Sequence, residues 1–238
     1  MAKKVLIIGE SGTGKSASMR NFKEDEILII NVAHKDLPFR GHYEQVATDE
    51  YRTIKRAMQN TKKKVIVIDD SQYLMANEFM RRATEKGFDK FTEIAQKYWE
   101  LQQEINSLPD DVIVYEFSHL ERDDKGNEKV KTIGRLLDEK ISVEGMFSIV
   151  LKTVVTDGRY FFQTQNSGQD TCKSPIGLFK EMHIENDLKA VDTAIREYYG
   201  LDEVVEAPTI PETVVEDEPA PAPEPTLAEQ MADVQNNE

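Results

Sequence analysis

Cysteine is almost missing from this chain of 238 residues: Cys172 stands alone. A single thiol forms no intrachain disulfide, so nothing here asks for an oxidising compartment. Nor is there an apolar run near the roughly 18 residues a membrane-spanning helix needs. The apolar stretch at the amino end, Val5-Leu6-Ile7-Ile8, stops at Gly9 with no cleavage-type segment after it, and it reads as a first strand rather than a secretory leader. His34, His42 and His183 show no ligand spacing, and with one cysteine a zinc site is excluded. The expected compartment is the cytoplasm, with no membrane partner.

Positive charge is missing from the carboxyl end. Between Leu201 and Glu238 lie eleven of the 44 acidic residues and no Lys or Arg. The formal net charge of −14 is therefore concentrated there, and residues 1–200 hold 33 acids against 30 bases, a net of −3. The same segment carries Pro208, Pro211, Pro219, Pro221, Pro223 and Pro225 and no aromatic residue. Such a composition cannot bury enough apolar surface to offset the entropy of ordering. Two parts are expected: a globular domain over 1–200 and a disordered acidic, Pro-rich tail over 201–238. Within the tail, Thr226-Leu227-Ala228-Glu229-Gln230-Met231-Ala232 reads either as a short helix formed on a protein partner or as a solvated end.

Before the tail, apolar runs alternate with helical patterns, which predicts an α/β fold with a mostly parallel sheet and crossover helices. Strands are predicted near 4–8, 27–31, 64–69, 112–117 and 147–154. Continuous runs such as Val65-Ile66-Val67-Ile68 suit strands covered on both faces. Helices are predicted at 15–22, at 49–60, and over 77–107 with a break near Gly87. In the last of these, Phe91, Ile94, Ala95, Tyr98, Leu101, Gln102 and Ile105 recur at spacings of three and four, a core-facing stripe. Trp99 lies off that stripe and is expected to pack under a loop. Asp157-Gly158 between two apolar runs predicts a two-residue hairpin turn. The polar stretch around Asp123 to Asn127 is a second hairpin or a mobile loop.

What the chain does have is Gly9-Glu10-Ser11-Gly12-Thr13-Gly14-Lys15-Ser16, the G-x-x-x-x-G-K-[ST] phosphate-binding loop, between an apolar strand and a helix-compatible run. Its glycines let backbone N–H groups close around phosphate oxygens. Gly9 to Ser16, with Ala17 after them, are the expected ATP-binding residues. Lys15 is expected to reach the β and γ phosphates and the Ser16 hydroxyl to ligate Mg²⁺. The strand Val65-Ile66-Val67-Ile68 ends in Asp69-Asp70. Asp69 is the expected second Mg²⁺ ligand, and Asp70 is either a base for the attacking water or a helix N-cap. After the fourth strand, His119 is either a sensor of the γ-phosphate or a hydrogen-bonded surface residue. A cation from the same or a neighbouring subunit commonly neutralises transition-state charge. Arg135, Arg159 and Lys173 are candidates, with Lys173 preferred, and a neighbouring donor would imply a homo-oligomer.

With these residues in hand, the chain resembles the phage-encoded RecA-like AAA ATPases, some of which act as single-strand annealing or recombination proteins. The resemblance covers about residues 1–200. It is carried by Gly9 to Ser16, Leu37-Pro38-Phe39, Asp69-Asp70, Ser118-His119 and Asn186-Asp187-Leu188. It implies a RecA-type core with central strand order 5-1-4-3-2, a P-loop ATPase using ATP and Mg²⁺, and work on single-stranded DNA in the bacterial host cytoplasm. RecA-type recombinases carry a catalytic Glu on the strand after the loop's helix; Asn31 and Asp36 stand in that region here, which predicts slow hydrolysis. Two mixed clusters bear on the DNA expectation: Arg122, Lys125, Lys129 and Lys131, and Arg81, Arg82, Lys86 and Lys90 beside Phe88 and Phe91. Each also contains acids, so a nucleic-acid surface and a plain solvated face are both open. The other reading is a nucleotide-gated adaptor or loader that docks partners through its acidic tail.

Overall fold

The computed structural model describes residues 1–201. The expected tail lies outside the described residues, apart from Leu201. Among the described residues one sheet dominates, and its strands, in chain order, are β1 (Lys3–Gly9), β2 (Ile27–Asn31), β3 (Glu44–Ala47), β4 (Val65–Asp69), β5 (Ile113–Arg122), β6 (Glu128–Val130), β7 (Ile149–Thr156), β8 (Arg159–Gln163) and β9 (His183–Glu185). Across the sheet the order is β3-β2-β4-β5-β1-β7-β8-β9, with β6 paired to β5. Pairing is parallel from β3 to β7 and antiparallel from β7 to β9. The five strands read from the sequence therefore run β7-β1-β5-β4-β2, the expected 5-1-4-3-2 order, with β3 added at one side and β8 and β9 at the other.

Because successive side chains point to opposite faces, the fully apolar strands feed two cores at once. Val5 and Ile7 of β1, with Val67 of β4 and Tyr115 of β5, pack on one face against Leu188, Val191 and Ile195 of α4 (Leu188–Tyr199). The opposite face is covered by α1 (Tyr51–Asn60), α2 (Gln72–Arg81) and α3 (Asp89–Asn106). On α3 the buried positions are Lys90, Ile94, Ala95, Tyr98, Leu101, Gln102 and Ile105, so the predicted stripe holds except that Phe91 is only half-buried. Lys90 is buried because its ammonium donates to the carbonyl oxygens of Arg82 and Glu85 as α2 ends. Trp99 is 43% exposed on this helix and does not sit under a loop.

Turn chemistry fixes both hairpins. Asp157 (φ 50°) and Gly158 (φ 72°) take the two positive φ angles that a type I′ turn demands between β7 and β8. The stretch left open around Asp123 is a hairpin joining β5 to β6. Its turn is held by the Asp123 carboxylate accepting from the backbone N–H groups of Lys125 and Asn127. Two expectations need correction. The segment after the glycine-rich loop is a 3₁₀ turn, Ser16–Asn21, rather than an α-helix over 15–22. The long helical stretch predicted over 77–107 begins earlier, at Gln72, where Ser71 N–H donates to the Phe117 carbonyl and the chain turns at once.

Parallel strands deliver their carboxyl ends to one edge of the sheet. Gly9 of β1 pairs in register with His119 of β5, and Asn31 of β2 with Asp69 of β4. At this edge of an open parallel sheet, loops converge and ligands bind.

Candidate functional site

The loop leaving β1 must approach its neighbours closely. A Cβ on Gly9 would lie 1.9 Å from Thr153 Oγ1 of β7, so only glycine fits where the loop begins. Gly14 has φ +97°, and a Cβ there would lie 3.0 Å from the Tyr160 ring and 3.1 Å from Asn186 Oδ1. Sequence and steric need thus agree on the two glycines that bound the loop.

Inside the loop, Lys15 is 6% exposed, and its ammonium donates to the carbonyl oxygens of Gly9 and Glu10, both at 2.8 Å. Burial lowers its pKa to about 8, while the charges of Asp70 and Asp69 pull the other way. It stays mostly protonated at neutral pH. Ser16 Oγ donates to Asp69 Oδ1 at 3.0 Å, bringing the loop and the end of β4 together across 53 positions. Asp69 is 8% exposed; burial first, and the neighbouring Asp70 charge second, push its pKa up to about 6. Ser16 Oγ and the Asp69 carboxylate form an oxygen pair able to hold a hard divalent cation. Among the described residues no group of three or more His, Cys, Asp or Glu is arranged around a metal. A small cation at this pair would draw its remaining oxygens from water and phosphate, the usual Mg²⁺ habit.

Asp70 has φ 61°, a left-handed conformation that costs about 1–3 kcal/mol for a non-glycine residue. Its carboxylate is held from both sides: Lys35 Nζ lies 2.7 Å from Oδ2 and His119 Nε2 lies 3.3 Å from Oδ1. Burial raises its pKa, but the bonds from His119 and Lys35 outweigh it and keep the carboxyl well below the usual range. Of the two readings of Asp70, the N-cap is therefore the one that fails: the N-cap of α2 is Ser71, without a side-chain cap. His119 is half-buried and sits edge-on to Tyr73, its backbone N–H donating to Gln72 Oε1.

These groups line one cleft of about 320 Å³, with Ser11, Gly12, Gly14, Lys15, Ser16 and Ala17 on one wall and Lys35, Asp36, Asp69, Asp70 and His119 on the other. Sequence reasoning missed Lys35. Its signal was its position just beyond the end of β2, at the same sheet edge as Asp69. Three expected loop residues do not line the cleft. Gly9 is the close-packed start of the loop, Glu10 is exposed and paired with Arg122 at 3.1 Å, and the Thr13 hydroxyl donates to the Glu10 carbonyl and meets Thr153 Oγ1. Lys173 is also outside the lining: its backbone bridges Val150, the second residue of β7, which keeps it away from the carboxyl ends of the parallel strands. Within this chain, Lys35 stands where that cation was sought.

A larger cleft of about 810 Å³ lies between α1, α2 and α3. Arg81 is paired to Asp49 at 2.6 Å and Lys97 to Glu78 at 2.6 Å, its other cations share the wall with Glu50, Glu100 and Glu104, and no glycine-rich backbone faces it. The glycine-rich cleft is the better anion site on chemistry. The two mixed clusters are partly paired, Arg122 with Glu128, Lys129 with Glu121, and Arg82 with Glu78, Glu85 and Glu93, while their Lys86, Lys125 and Lys131 are exposed. Phe88 remains exposed beside Phe91.

Comparison with known proteins found no matching family model and no matching curated protein.

Proposed function

We propose that this protein is a RecA-like P-loop NTPase that binds ATP with Mg²⁺ and hydrolyses it slowly. The carrying observation is the 3.0 Å bond between Ser16 Oγ and Asp69 Oδ1 beside the buried Lys15 ammonium. A phosphate-binding loop and the acid at the end of β4 are thereby joined at one cleft, with β5 inserted between β1 and β4 as in P-loop ATPases of the additional-strand class.

Each residue then has a role. Loop N–H groups and Lys15 cradle the terminal phosphates, and Lys15 exchanges its two carbonyl partners for phosphate oxygens. Ser16 and Asp69 would hold Mg²⁺, which when bound would supply charge neutralisation at the phosphate oxygens. His119 is placed to donate to the γ-phosphate region, and Lys35 adds positive charge in the cleft's wall. Asp70 orients water but takes its proton poorly, because a base works best with a pKa near the working pH and this carboxylate sits far below it. That weakness is the reason for slow turnover. It also favours a second reading, in which bound ATP mainly gates the docking of a protein partner.

Single-stranded DNA is the nucleic-acid partner we propose, acting in recombination or annealing. It rests on the resemblance and on exposed Lys86, Lys125 and Phe88 beside the paired clusters. The deciding experiment is phosphate release from ATP by the full chain, with and without Mg²⁺ and single-stranded oligonucleotide, at low and high salt. Expected is slow, Mg²⁺-dependent release that rises with oligonucleotide at low salt. Absence of Mg²⁺-dependent release together with absence of ATP binding contradicts the ATPase reading; no oligonucleotide effect and no oligonucleotide binding at low salt contradicts the DNA part alone.

A further inference from the structure

A second cavity, of about 410 Å³, adjoins the phosphate cleft and shares Gly14, Ala17 and Tyr160 with it. The Tyr160 ring lies against Gly14 and divides what is otherwise one groove. Beyond the ring the walls are Arg20, Arg159, Glu185 and Asn186. Nothing in the phosphate chemistry uses this space.

Asn186 is the informative residue. It is 3% exposed, and its carboxamide nitrogen has no hydrogen-bond partner. Slack in the backbone does not explain this. Arg20 Nη1 donates to the Asn186 carbonyl at 2.7 Å, and Asn21 Nδ2 donates to the Asp187 carboxylate at 2.8 Å. The 3₁₀ turn after the loop thus pins residues 186 and 187 and fixes where the carboxamide sits. A buried donor left unpaired is destabilising and rare in folded proteins, so this one calls for a partner that the chain itself does not supply. Tyr160 is the complementary feature: it is 48% exposed on the rigid β8, with a ring face available at the mouth of the cavity. Exposed side chains change rotamer within nanoseconds, so a swing of this ring joins the two spaces.

We propose that this cavity is the nucleoside subsite: the base and ribose of a nucleoside triphosphate lie here, with the base against Tyr160 and an acceptor on its edge taking the Asn186 carboxamide hydrogen. The proposal rests on the phosphate-cradle reading. Glu185, exposed on the same wall, is placed to accept from ribose hydroxyls or an exocyclic amine.

The test is calorimetric titration of the full chain, in Mg²⁺ buffer, with ATP and separately with inorganic tripolyphosphate, which has no base. Wild type is expected to bind ATP more tightly. Tyr160→Ala is expected to weaken ATP about tenfold and Tyr160→Phe to leave it unchanged, since stacking on a ring is lost in one and kept in the other. Asn186→Ala is expected to weaken ATP about fivefold or more without lowering the melting temperature, because the unpaired amide it removes contributes nothing to the unliganded fold. In all three variants the tripolyphosphate affinity stays at the wild-type value. Equal loss of both ligands, or no loss of either, in Tyr160→Ala or Asn186→Ala overturns the subsite. Wild type binding the two ligands equally overturns it too and leaves the phosphate cradle standing, whereas binding of neither overturns both.

Discussion

The Lys35 ammonium and the Asp70 carboxylate meet at 2.7 Å in the wall of the glycine-rich cleft. One comes from the segment after β2 and the other from the end of β4, so the pair spans two neighbouring parallel strands. With His119 on the other oxygen, it holds Asp70 ionised in a strained backbone conformation.

Lys35→Ala is expected to raise the Asp70 pKa toward the ordinary carboxylate value, read from its carboxyl carbon in an NMR titration. A carboxyl whose folded pKa is depressed adds stability above the unfolded value of about 3.9, and that stability is lost as pH falls. Acid unfolding of the variant should therefore be less steep below about pH 4. At neutral pH the pair, whose lysine is mostly exposed while Asp70 is buried, is worth about 1 kcal/mol after solvent screening. An unmoved Asp70 titration contradicts the assignment.

Asp69 has the opposite sign. Its folded pKa of about 6 lies above the unfolded value, so the folded state holds the extra proton and stability falls as pH rises from about 4 to about 6. Asp69→Asn removes that penalty. The variant is expected to be about 1–3 kcal/mol more stable than wild type at pH 7.5 by urea denaturation, and no more stable near pH 4. It should also lose the rise in melting temperature that ATP with Mg²⁺ is expected to give wild type. A less stable variant at pH 7.5 sinks this reading of the buried carboxylate.

At the start of the loop, Gly9→Ala drives a methyl into Thr153 Oγ1. A cost of about 1–3 kcal/mol is expected. Because the closest clash is with the Thr153 hydroxyl, with Thr13 Oγ1 next at 2.8 Å, the added substitution Thr153→Ala should recover part of it in a double-mutant cycle. Strict additivity of the two effects counts against the contact.

Much of this was legible in the sequence because it follows from periodicity and hard sterics. Runs such as Val65 to Ile68 declare doubly covered strands, Asp157-Gly158 declares its turn, and the G-x-x-x-x-G-K-S spacing leaves few backbones that fit it. What stayed hidden depends on tertiary placement. β3 has Val46 as its one half-buried position and lies at the sheet edge, so no alternation marks it. α4 went unread although Asp187, accepting from the N–H groups of Lys189 and Ala190, and left-handed Gly200 mark its two ends. Lys35 could not be distinguished from other surface lysines until the parallel pairing of β2 with β4 brought it to Asp70. Asn186 entered only as part of the family resemblance, and its unpaired amide is visible only in three dimensions.

That α4 cap gives a further expectation bearing on stability rather than binding. Asp187→Ala removes the cap and the bond from Asn21, and should cost about 1 kcal/mol, or about 2–4 °C in melting temperature for a domain of this size. An unchanged melting temperature contradicts the cap's contribution.

The most direct measurement is calorimetric titration of ATP, with Mg²⁺, into wild type and Lys15→Ala. If backbone amides and the Lys15 ammonium cradle the phosphates, wild type binds and the variant loses at least about tenfold in affinity, the scale of one charge-assisted hydrogen bond. Equal affinities for the two proteins contradict the placement of the phosphates at this loop.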